Sequence, residues 1–192
     1  MSKRIAFLSA AALGALALTA TIVTPVSAQD KMKSEMSGEK TVMVGGAAMF
    51  PSKNIVQNAV NSKDHTTLVA AVKAAGLVGT LEGKGPFTVF APTNAAFGKL
   101  PAGTVDTLVK PENKAALTKI LTYHVVPGKL EASDLTDGKK LKTVQGEELT
   151  VKRSGDTVMI IDSKGGSSTV TIPNVNQSNG VIHVVDTILM PS

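Results

Sequence analysis

The chain contains no cysteine, no tryptophan and a single tyrosine, with five phenylalanines among its 192 residues. Without cysteine the fold uses no disulfides, even if it is exported to an oxidising compartment. So few aromatics leave nothing to stack on bases, and the lysines are spread along the chain instead of forming a stripe. Together these argue against nucleic-acid binding. The three histidines show no HxH, HxxxH or HExxH spacing, so a histidine-centred metal site is poorly supported. Gly-x-Ser-x-Gly does not occur, and a serine-hydrolase elbow goes with it. The glycine runs at 83–85 and 165–166 lie between strands or ahead of one. They read as turns and not as phosphate cradles.

What is present begins with a leader. Lys3-Arg4 precedes an Ala/Leu-rich apolar run over 5–20, and Val26-Ser27-Ala28 is a small-residue cleavage signature ahead of Gln29. A span would need roughly 20 strongly apolar residues, so residues 1–28 are read as a signal peptide cut between Ala28 and Gln29. Cleavage removes Lys3 and Arg4, and the formal charge falls from +5 to +3. The expected location is periplasmic or extracellular, with no membrane span after cleavage. The mature chain is long enough to bury roughly 70% of its unfolded surface in one domain.

Residues 29–53 read as a flexible spacer and an extended lead-in. Met32, Met36, Met43 and Met49 cluster there, the first two with MxxxM spacing. Thioethers are soft ligands, so copper(I) binding is the metal reading, against ordinary spacer composition. The folded domain is expected over 54–192.

Within it, 54–60 suggests a short helix. Asp64 or Thr66 caps a second helix whose stripe is Leu68, Val72 and Ala75, and Gly76 stops it. Phe87, Val89 and Phe90 form a buried strand, and Pro92 refuses the next ladder bond. Thr93 or Asn94 then accepts from the amides of a new helix, and Phe97 folds back on the strand. Pro111 opens a helix carrying Leu117, Ile120, Leu121 and His124 on one face. Beyond Leu141 the chain alternates apolar and polar residues between turns, giving five strands, with His183 in the last and Asp186-Thr187 satisfying a turn or a nearby amide. Helices crowd the first half and strands the second, which predicts an α+β fold. Asn176-Gln177-Ser178 is a formal glycosylation sequon.

FTVFAPTNAAF (87–97), LTYHVVPGKL (121–130) and NGVIHVVDTILMP (179–191) together resemble, in order and over about 54–191, one fasciclin domain. The resemblance implies a wedge of twisted, mostly antiparallel sheet with helices packed around it. It also implies an exported, non-enzymatic, monomeric module for cell adhesion or surface and matrix interaction. No cofactor is implied. Partners would be cell-surface, matrix or envelope proteins or polysaccharides, and the alternative is a periplasmic small-molecule or copper(I)-binding protein using the Met-rich spacer or a cleft. In animal members the Tyr-His region, here Tyr123-His124, is tied to partner binding. The residues themselves also admit a half-buried pair bonded to the backbone.

Overall fold

Successive side chains of a strand face opposite sides, and the strand Phe87–Pro92 uses this to serve two cores. Val89 and Ala91 enter one apolar cluster, and Phe90 enters the other. The computed structural model describes residues 40–192. The leader, its cleavage residues Ala28 and Gln29, and Met32 and Met36 lie outside the described residues.

The chain runs through β1 (Val42–Val44), β2 (Ala47–Met49), α1 (Ile55–Ala59), α2 (Thr66–Ala75) and α3 (Val78–Glu82). Then come β3 (Phe87–Pro92), α4 (Asn94–Gly98), α5 (Thr104–Leu108) and α6 (Lys114–Tyr123). Six strands close the sequence: β4 (Val125–Pro127), β5 (Lys140–Lys142), β6 (Glu148–Ser154), β7 (Thr157–Ile161), β8 (Ser167–Gln177) and β9 (Gly180–Val185). The seven-stranded sheet has the order β4-β3-β9-β8-β7-β6-β5. Only β3 and β9 pair in parallel. The fold is therefore α+β with a mostly antiparallel sheet.

That sheet nearly closes. β8 pairs with β7 through Ser167–Thr169, then shifts register twice as it pairs with β9. Such irregularities bend a strand, and Asn174 at φ 56 lies within the bend. The two outer rims then meet where the Val144 amide donates to the Val125 carbonyl at 2.8 Å.

One core lies between the helices and the sheet face that carries Val89, Ile182 and Val184. The other fills the curved sheet with Phe90, Tyr123, Leu135, Leu149, Ile160 and Leu189. α2 ends as expected, with Gly76 left-handed at φ 73. α1 carries a reciprocal cap between Asn54 and Gln57.

The lead-in differs from its sequence reading. Residues 42–49 form a hairpin, and Val44 and Met49 are each only 3% exposed inside the first core. Gly45 and Gly46 are its turn, both at positive φ (58 and 76). Paired left-handed residues are what a two-residue hairpin connection requires. Asn58 then anchors the strap, accepting from the Phe50 amide at 3.1 Å and donating to the Phe50 carbonyl at 2.8 Å. The packed domain therefore starts before residue 54. Directly after α6, Val125–Pro127 forms a rim strand paired with β3.

Candidate functional site

Tyr123 and His124 close α6 at the point where both cores meet. Tyr123 is 0% exposed and His124 2%. The Tyr123 hydroxyl accepts from the Ser163 amide at 2.9 Å and lies 3.4 Å from the Glu148 carbonyl, to which it donates. His124 Nδ1 donates to the Ile120 carbonyl at 2.8 Å, and Nε2 accepts from the Leu189 amide at 3.0 Å. These partners fix the neutral tautomer. Burial pushes the imidazole down to about 4, against the Ile120 carbonyl and the Asp162 charge. Both rings are buried: Tyr123 ties the end of α6 to β6 and to the loop after β7, and His124 ties it to the segment after β9.

The remaining candidate residues are also tied inward. His183 is fully buried, donates from Nε2 to the Leu130 carbonyl at 2.8 Å, and stacks on Phe90 at 5.7 Å between ring centres. Burial lowers its pKa. Asp186 accepts from the Thr169 amide at 2.8 Å and the Thr187 hydroxyl at 3.0 Å, and faces Lys99 at 3.5 Å. Burial pushes its carboxyl up, but these donors and the lysine prevail and hold it low.

At the strand-to-helix corner the two capping candidates divide the task. Thr93 Oγ1 accepts from the Ala96 amide and caps α4. Asn94 instead accepts from the Thr67 amide at 3.0 Å and donates to the Lys63 carbonyl at 2.8 Å. It therefore caps α2 from across the fold, and neither Asp64 nor Thr66 does so. Pro92 and Phe87 end the same strand on opposite sides, and Phe97 packs in the first core.

Met43 is 60% exposed, whereas Met49 is buried. In the hairpin register Met49 lies opposite Val42 and Met43 opposite Ala48, so the two thioethers face opposite sides. Met32 and Met36, the other two members of the copper(I) reading, lie outside the described residues. Among the described residues no group of three or more His, Asp or Glu is placed to hold a metal. Asn176 of the sequon is half-buried, with its Oδ1 enclosed and its Nδ2 donating to the Asn174 carbonyl at 3.4 Å.

Two features went unread in the sequence. Asn179 accepts from the Ile55 amide at 3.1 Å and donates to the Leu81 and Gly83 carbonyls at 2.7 and 3.1 Å, joining α1, α3 and β9. Its Asn-Gly dipeptide was legible only as a turn. The second is an apolar cavity of about 80 Å³ behind β3, walled by Leu68, Val72, Leu81, Val89 and Ile182, with His124 also in its lining. No local sequence pattern announces it, because its walls come from segments far apart in the chain.

The sequence profile of the fasciclin domain matches residues 63–191, more than half of the chain. The chain belongs to the fasciclin family. This fasciclin protein is 49% identical over 153 residues to protein sll1483 of Synechocystis, covering 80% of this chain and 82% of that one. It is 39% identical over 153 residues to the cell surface glycolipoprotein MPB83 of Mycobacterium bovis, covering 77% of this chain and 64% of the relative. In structure it resembles the FAS1 domain pair of the insect cell adhesion molecule Fasciclin I, with a TM-score of 0.65 and 19% identity. That match covers 73% of this chain and spans 52% of the two-domain chain, and it speaks to the fold alone. The profile begins after α1 and the hairpin, yet Val44, Met49 and Ile55 pack into the same core as the fasciclin strands.

Proposed function

We propose that this fasciclin domain is exported and acts without catalysis, as a monomeric binding module at the cell surface or envelope. Its partner is a surface, matrix or envelope protein or polysaccharide, engaged by the outer face of a rigid wedge. One observation carries the reading: Tyr123, His124 and His183 are buried rings bonded to backbone groups inside the fold. Side chains that lock elements together are not poised to attack a substrate. The surface location of the mycobacterial relative supports the same setting, as does the leader ahead of Gln29. Among the described residues no helix is long and apolar enough to cross a membrane.

The test is cross-linking of the tagged mature protein, starting at Gln29, on intact cells, beside a version starting at Lys40. Capture of the same partner by both is the expected result. Capture that disappears when 29–39 is removed would move the function to Met32 and Met36. A catalysed reaction abolished by one polar substitution, with melting unchanged, would overturn the reading altogether.

A further inference from the structure

The 80 Å³ cavity is apolar through and through. The His124 nitrogens are both engaged, and Thr122 Oγ1 donates to the Thr118 carbonyl at 2.7 Å. Among the described residues the buried side-chain polar atoms without a partner are His65 Nε2 and Asn176 Oδ1, and neither residue lines this space. Water inside would lack the two to four polar partners that hold a buried water. The space nevertheless reaches solvent, since Thr80 and Val144 in its lining are exposed, Val144 at 45%. Val144 also supplies the hydrogen bond that joins the two sheet rims, so the mouth lies along that seam.

Charge lies to one side. A side-chain carbon at position 76 would sit 3.4 Å from Lys114 Nζ, immediately before Leu77 of the lining. Lys114 is not among the ion pairs formed within the described residues. A peptide anchor would bring N–H and C=O groups to a rim whose Val125 carbonyl and Thr122 hydroxyl are already engaged. A hydrocarbon chain makes no such demand.

We propose that the cavity receives the methyl end of a free fatty acid, with the carboxylate drawn toward Lys114. The volume admits roughly three methylene-sized groups, so the rest of the chain lies along the mouth. This inference stands apart from the surface-binding reading, and either can fail alone.

The experiment titrates the mature protein with saturated straight-chain fatty acids from four to fourteen carbons, below their micelle concentrations. Affinity is expected to rise about fourfold per carbon while the cavity fills, then by smaller steps. Val144→Glu and Thr122→Trp, both at the rim, should weaken binding at least tenfold with melting unchanged. Lys114→Gln should weaken decanoate about threefold and leave 1-decanol unaffected. Absence of binding, affinity independent of chain length, or rim variants that bind like the parent would each overturn the proposal. So would capture of an apolar peptide, blocked by Val144→Glu, in a protein that takes up no fatty acid.

Discussion

His124 engages the Ile120 carbonyl with one ring nitrogen and the Leu189 amide with the other. Protonation would add a proton to Nε2 against an N–H that already points at it, in a site that is only 2% exposed. The folded imidazole accordingly titrates at about 4, well below the value of about 6.5 expected when unfolded. Between those values the unfolded chain binds more protons, so stability is full above pH 6.5 and falls as pH drops toward 4. His65 and His183 shift the same way, also through burial, and add to the slope. For His124 alone the loss is bounded near 3 kcal/mol. His124→Gln should cost about 1–3 kcal/mol at pH 7 and flatten the dependence between pH 6.5 and 4.5, as read by urea unfolding at several pH values. A slope equal to that of the parent would refute this assignment. Glu147 acts lower still. The Ser192 amide, above all, holds its carboxyl near 2, so its share of stability is present above pH 4.5 and lost toward pH 2.

Two elements carry predictions of their own. At the start of β9, a side-chain carbon on Gly180 would collide with the Phe87 carbonyl oxygen, inside the parallel pair of β3 and β9. Gly180→Ala should destabilise by about 3 kcal/mol or more, and an undisturbed chemical-denaturation midpoint would show that β3 and β9 can separate freely. The hairpin is the second case. Met49→Ala should cost about 2–5 kcal/mol, while truncation to Lys40 leaves the melting temperature where it was. A Met49 variant as stable as the parent would return the hairpin to the spacer. These elements also mark what sequence could reveal. Local signals were legible: the stripe of α2 and its Gly76 stop, the alternation of β6 and β7, and the Phe87–Phe97 corner. Features made by distant partners were not. Gly45-Gly46 is a break or a turn depending on whether a core exists for Met49 to enter. Asn94 caps α2 from 27 residues downstream of Thr67. Burial of Tyr123 and His124 is set by residues 148, 163 and 189, so their pattern on α6 left the contact reading open.

At the scale of the whole molecule, the interior of the described residues is occupied by locking contacts and small apolar spaces, that behind β3 among them, and what remains for recognition is the outer face. The capture experiment and the fatty-acid titration probe these two surfaces separately. The way the main sheet ends has a further consequence. Its rims turn toward each other and join at Val125 and Val144, and the short β5 beside the join carries lysines at both of its exposed positions. A second copy arriving there meets cations instead of a bare ladder. Edge-to-edge pairing of copies into a continuing sheet is therefore disfavoured at this rim.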